Sequence, residues 1–261
     1  MAEWIAFPYP AAAYVHDTSS LKQHWPRLHQ GDAEPLPEDA AVLAAWALFH
    51  AGQFERAHAA GLRAGSAGIT VANKAQAVHA NYLESSERTK TAMFLEVARR
   101  AEAQAVADPG AAGAHYWMAY ALGRYHQGIS VARVLEDDLG AKVKTALEKA
   151  IELAPRHADA RIALGVFHAD VIDKVGRLLA KTLGADAATS LKMFREALAL
   201  HPDSAIARVE YANGLVMLEG EKRMKESDKL YAEAAACVPV DAAERLDVEM
   251  AQAELAATPA G

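Results

Sequence analysis

Apolar and small residues recur along this chain at one fixed spacing, and each recurrence ends in a proline. Residues 143–155 read VKTALEKAIELAP, residues 190–202 SLKMFREALALHP and residues 227–239 SDKLYAEAAACVP. Residues 97–109, VARRAEAQAVADP, form a more divergent fourth copy. The sets that keep step are Leu147/Ala150/Pro155, Phe194/Ala197/Pro202, Tyr231/Ala234/Pro239 and Ala101/Gln104/Pro109. Proline has no N–H to continue a helix and restricts the residue before it. Each copy is therefore predicted to be a helix that stops at its proline, and repetition of one such unit is the mark of a solenoid.

Extended to the whole chain, the pattern predicts paired helices over residues 39–50 and 53–64, 71–83 and 88–107, 114–127 and 138–153, 158–169 and 187–200, and 205–218 and 222–238. A last helix is expected over 241–256. Pro109, Pro155, Pro202 and Pro239 close units of 46, 47 and 37 residues, whereas a bare helical hairpin takes roughly 34. Two units thus carry inserts, at 128–137 and after residue 169. Residues 1–38 read as an irregular leader in which Trp4, Phe7, Tyr9, Tyr14 and Trp25 lie among prolines, with a short helix over 19–29. Its aromatics are expected to dock on the first helices. The resulting domain organisation is a leader over 1–38, a repeat array over 39–240 and a capping helix with tail over 241–261.

The repeats resemble the tetratricopeptide (TPR) motif. Leu164-Gly165 and Tyr211-Ala212 stand at the adjacent large–small pair of that motif's first helix. Ser190 and Ser227, then Phe194 and Tyr231, Ala197 and Ala234, and the closing proline follow its second helix. Small residues let paired helices approach closely, and the aromatic fills the space towards the next unit. The resemblance implies an all-α, right-handed TPR-like superhelix of about five hairpins with two inserts and a C-terminal capping helix. Over roughly 110–240, HYWMAYALGRY, VIDKVGRLLAKTLG and SLKMFREALALHPDS also resemble the regulator-of-microtubule-dynamics proteins and the periplasmic T components of TRAP transporters. No lipoprotein signal is read here, so the periplasmic placement of the second family is not expected to carry over.

Composition narrows the function classes. The 261 residues are 52% hydrophobic and 23% charged; alanine dominates and β-branched runs are scarce, which favours helix. A net charge of −7 disfavours a general nucleic-acid-binding role. Cys237 is the one cysteine; it excludes an internal disulfide and a multi-cysteine metal site and is expected to be buried inside its helix. The start of the chain lacks a basic n-region and is broken by Pro8 and Pro10, so it is not read as a secretory signal. No apolar run reaches transmembrane length, and the chain is expected to be soluble and cytoplasmic.

Chemistry is not written into the sequence. There is no HExxH, CxxC, glycine-rich phosphate loop or GxSxG, so no catalytic residue, metal or cofactor is expected. Glu136-Asp137-Asp138 reads as favourable charge before a helix. Lys174, Arg177 and Lys181 are placed on one face of an insert helix, opposite Val171, Val175, Leu178 and Leu179. That face reads as a solvated side packed over the array, as does the row Lys222, Lys225 and Lys229.

The informative positions are those that line the concave face of a TPR superhelix from its first helices. The motif's register assigns Val42, Trp46 and Phe49 in the first unit, Tyr116 and Tyr120 in the third, Ile162 and Val166 in the fourth, and Val209 and Asn213 in the fifth. A carboxylate clamp would place lysine, asparagine and arginine there; this chain places mostly apolar and aromatic residues. An apolar lining must be covered, by a partner's helix or peptide, by a small apolar ligand, or by the chain's own leader or inserts. The expected function is a non-enzymatic interaction scaffold binding an unidentified protein segment. The alternative is a small apolar ligand-binding subunit of a transport-related system. Oligomeric state stays open.

Overall fold

A computed structural model describes residues 4–127 and 139–257, and every described regular element is helical. The helices are α1 Thr18–Leu28, α2 Ala40–His50, α3 Phe54–Arg63, α4 Ile69–Tyr82, α5 Glu87–Ala107 and α6 Ala112–Gln127. They continue as α7 Leu139–Leu153, α8 Ala158–Thr182, α9 Ala187–Leu200, α10 Ala205–Glu219, α11 Met224–Ala235 and α12 Ala242–Ala257. The insert at 128–137, and with it Glu136-Asp137-Asp138, lies outside the described residues.

Helix starts follow local chemistry. The Asp39 carboxylate accepts from the Ala41 N–H at 2.7 Å, and Asp17, Ser86, Asp186 and Ser204 cap α1, α5, α9 and α10 in the same way. Each cap satisfies an amide that the helix itself leaves open. Helix ends follow the prolines: α5, α7, α9 and α11 stop at Ala107, Leu153, Leu200 and Ala235, ahead of Pro109, Pro155, Pro202 and Pro239. Between α2 and α3 the chain reverses at Gly52, whose φ of +76° suits glycine.

The contacts divide the chain into two compact units. The first comprises Met1–His29, Ala33–Pro155 and Val240–Ala243; the second comprises Gln30–Asp32, Arg156–Pro239 and Glu244–Gly261. In the first unit each helix from α1 to α7 packs on the next, and α4 also touches α2 and α6. Helix α4 is enclosed almost all round, with Thr70 through Val78 buried apart from Lys74. In the second unit α9 and α10 both pack on α8, and α11 packs on α10. Val248 and Ala251 of α12 join Ala205, Val209 and Ala234 in one apolar cluster.

The packing device of the second unit is the slot around Phe194. Its ring is fully buried, stacks on Tyr211 at 5.4 Å and 19°, and lies on two glycines, Gly165 of α8 and Gly214 of α10. A Cβ on Gly214 would stand 2.5 Å from the ring, and one on Gly165 2.9 Å. Ser190 is small for the same reason, and its hydroxyl donates to the Gly165 carbonyl at 2.7 Å.

Three expectations are corrected. The insert after residue 169 is not one helix: the helix that starts at Ala158 runs into it, Gly176 (φ 77°, ψ 158°) breaks it, and a second short helical segment continues to Thr182. That break rotates the rest of the helix, so the single polar and apolar faces drawn across 171–181 do not exist. Val171 and Val175 are partly buried against the apolar cluster that contains Ile172 and Leu218, but Leu178 is 86% exposed. Second, Cys237 lies past the end of α11 and is only half-buried, its Sγ donating to the Glu233 carbonyl at 3.4 Å. Third, Lys222 falls in a 3-10 turn at Gly220–Arg223, ahead of α11, so it forms no continuous helical row with Lys225 and Lys229.

Candidate functional site

The residues assigned to the concave lining divide into a buried set and a half-buried set. Val42, Trp46, Phe49, Tyr116, Ile162 and Val209 are buried, while Tyr120, Val166 and Asn213 are half-buried. In the first unit Trp46 and Phe49 meet at 5.5 Å edge to face, and Tyr116 and Tyr120 at 5.9 Å. In the second unit Ile162 and Val166 share the Phe194 cluster, and Val209 lies in the cluster capped by α12. Asn213 Oδ1 accepts from the Tyr231 hydroxyl at 2.7 Å, which leaves the amide NH2 as the donor side of that group.

Trp46 is covered by the chain itself. Trp25 of α1 meets it edge to face at 5.9 Å, and the His29 ring meets it at 4.6 Å. Trp25 is anchored in turn, its indole N–H donating to the Glu34 carbonyl at 2.9 Å. Aromatic pairs of this kind add packing energy beyond their area, so the α1 part of the leader is core to the first unit.

Cations complete the face. The Lys74 ammonium on α4 stands 5.6 Å from the Trp46 ring centre and 5.1 Å from that of Phe49. On α6 the Arg124 guanidinium stands 5.4 Å from the Tyr120 ring. These are cation–π distances; the cations stand on α4 and α6, and the rings on α2 and α6, the first helices of the first and third hairpins.

Two polar arrangements escape the repeat motif. Thr70, Asn73, Gln76 and His79 recur every three residues on α4 and are all buried. From α5, Arg100 donates to Asn73 Oδ1 and Gln76 Oε1, each at 2.7 Å, and Gln76 donates to Glu96 at 2.9 Å. Burial lowers the Arg100 guanidinium from its ordinary range, with Glu96 opposing. The three-residue spacing of polar side chains within an apolar helix is the signal that could have marked this stripe. The other arrangement is His50, fully buried, whose Nδ1 lies 2.7 Å from Asp241 Oδ2 and whose Nε2 lies 3.3 Å from His29 Nε2. His50 and Asp241 are 191 residues apart, so no local pattern could have paired them.

A shallow cleft of about 430 Å³ between α6 and α7 is lined by His115, Met118, Thr145, Ala146, Lys142 and Lys149 among others. It opens broadly to solvent and its lysines pair outward with Glu102 and Glu152. Among the described residues no cluster of histidine, cysteine or carboxylates has the arrangement to hold a metal ion.

A family model described as regulator of microtubule dynamics protein 1-3 matches residues 70–257. The chain belongs to that family. Among solved structures, this regulator-of-microtubule-dynamics chain is similar to a thermophilic TPR protein from Thermus thermophilus. The two share 16% identity and a TM-score of 0.55, over 82% of this chain and 97% of the other. At that identity the likeness is one of fold, and it supports the TPR-like helical-hairpin reading. No curated protein matches the sequence. No helix among the described residues is long and apolar enough to cross a membrane.

Proposed function

We propose that this protein is a non-enzymatic, cytoplasmic interaction scaffold that binds a partner segment on the first-helix face of its TPR-like hairpins. The observation that carries the reading is the pairing of cations with aromatic rings on that face, Lys74 over Trp46 and Phe49, and Arg124 over Tyr120. Such a surface suits a segment that alternates apolar and carboxylate side chains: the half-buried Tyr120 ring supplies contact area, and the cations supply charge complementarity. Trp46 supports the face from beneath, while Tyr120 and Arg124 are the contact residues. Taken by itself, the second unit offers Val166 as apolar area and the Asn213 NH2 as a hydrogen-bond donor on its own first helices. The family's name makes microtubules the partner to try first, since their regulation is what its members are named for.

Co-sedimentation of the purified chain with microtubules tests this directly. The wild type should pellet with them, and Tyr120→Ala combined with Arg124→Glu should weaken binding about tenfold or more. A wild type that stays in the supernatant would remove microtubules as the partner. A folded double variant that pellets like the wild type would remove this face.

The alternative, a small apolar ligand-binding subunit, needs an enclosed chamber. The cleft between α6 and α7 is open and edged by lysines, so it does not favour that reading.

A further inference from the structure

The leader has two parts that differ in how firmly they are held. Tyr14, Leu21, Trp25 and Leu28 are buried and anchor α1. Ahead of them residues 4–10 run without regular structure, and none of them is buried. This segment crosses a cleft between α3, α4 and the Gly52 turn. The Trp4 ring lies between His58 of α3, at 5.3 Å, and His79 of α4, at 4.4 Å. Three residues on, Phe7 lies on the backbone of Gly52 and meets Phe54 edge to face at 6.2 Å. A Cβ on Gly52 would stand 2.7 Å from the Phe7 ring, so glycine there makes the second seat as well as the turn. Between the two seats Ile5 and Ala6 point to solvent, and the Ile5 N–H donates to His79 Nε2 at 2.9 Å.

These are the features of extended-peptide recognition: two ring seats three residues apart and one side chain that reads the backbone between them. We infer that the cleft of His58, His79, Phe54 and Gly52 is a peptide-binding site which accepts an extended partner segment with aromatic residues at i and i+3, and that residues 4–9 occupy it in cis as a displaceable strap. Half-buried, irregular segments open at low cost compared with helices in the core. Anchored by α1, the strap competes at an effective concentration of order millimolar, so a partner must outbid it. The site is separate from the Tyr120–Arg124 face, and the two stand or fall independently.

His79 sets the condition for occupancy. To accept from an amide, its Nε2 must be unprotonated, which puts the ring's proton on Nδ1; Nδ1 is buried with no partner among the described residues. Protonation at Nε2 would set a donor against the Ile5 N–H and remove the backbone contact for strap and partner alike. The groups that face this pair of rings are Glu84 beside His79, and Arg100 and Glu96 beside His58. Burial, the largest cause, holds His79 below its ordinary 6.5, with Glu84 opposing. Occupancy therefore weakens as pH falls and His79 takes up its second proton.

The test uses a fluorescent peptide of sequence WIAFPYP and the full chain, read by anisotropy. Trp4→Ser combined with Phe7→Ser should bind the peptide at least about tenfold more tightly than the wild type, whose strap competes. That binding should weaken as the pH is lowered and His79 protonates. His79→Phe in the same background should abolish it. A folded strap variant that does not bind, or that binds no better than the wild type, overturns the proposal. So does a strap variant that fails to fold, because the segment would then be structural. Amide exchange on the wild type gives an independent check: residues 4–9 should exchange far faster than α4. Equal protection would sink the idea without any variant.

Discussion

Phe194→Ala should destabilise the second unit by about 3–5 kcal/mol, the usual cost of emptying a fully buried phenylalanine site. Two walls of the slot are backbone, at Gly165 and Gly214, and the Tyr211 ring stacks on Phe194; Ile162, Leu215 and Leu230 share the same cluster, so only that part of the lining can move into the gap. Urea unfolding should show a lower midpoint with an unchanged slope. The glycines predict the converse effect. With Phe194 in place, Gly214→Ala drives a methyl to 2.5 Å from the ring and should cost about 1–3 kcal/mol by overpacking. Combined with Phe194→Leu, the same methyl has room, so the double variant should be more stable than the sum of the two losses. If Gly214→Ala is neutral beside Phe194, the slot is looser than these distances indicate, and the large cost of emptying it is not to be expected either.

His50→Ala should cost the first unit about 3 kcal/mol, because it removes the imidazole that holds a nearly buried carboxylate. A carboxylate can only accept, so His50 Nδ1–H donates to Asp241. With His50 neutral, its Nε2 accepts from the His29 Nε2–H; protonated, it would donate from both nitrogens and His29 would have to accept. Burial is the largest influence and holds His50 below its ordinary 6.5; Asp241 opposes, while His29 and Lys74 lower it further. The unfolded chain thus binds this proton more readily than the folded one, so stability is fully present above about pH 6.5 and falls as pH drops below it. His16, His58 and His79 are displaced in the same direction, chiefly by burial. Acid unfolding followed by tryptophan fluorescence should therefore begin just below pH 6.5 in the wild type. His50→Phe should flatten that early part of the curve, and Asp241→Asn, which keeps an acceptor, should cost only about 1 kcal/mol. An acid profile unchanged by His50→Phe would show that the relay does not titrate.

The helical architecture was legible in the sequence wherever the causes are local. Prolines stop helices by what they lack, and Asp39, Asp186 and Ser204 start them by capping amides two or three residues on. Phe194 and Gly165 were legible through the repeat motif, whereas Gly214, the closer of the two glycines, was not singled out by it. Gly176 was the local signal that misled. Periodicity across 171–181 assumes one unbroken helix, and a single residue at positive φ rotates everything after it.

The candidate face was legible only in part. The register placed Trp46, Tyr120 and Asn213 on first helices, but a helix position says nothing about what another segment lays over it. Trp46 is core because α1 brings Trp25 and His29 onto it, whereas Tyr120, in ring contact with Phe94, Tyr116 and Trp117, stays half-buried. The α4 polar stripe has a sequence signal at spacing three, whereas the Asp241–His50–His29 relay has none. By itself, then, the sequence determined what short-range chemistry controls: helix type, helix ends and the small-against-aromatic pairing of the repeats. The tertiary structure alone decided which apolar positions are lining and which are core, and which buried polar groups meet. Those outcomes depend on contacts between residues far apart in the chain, and no local pattern encodes them.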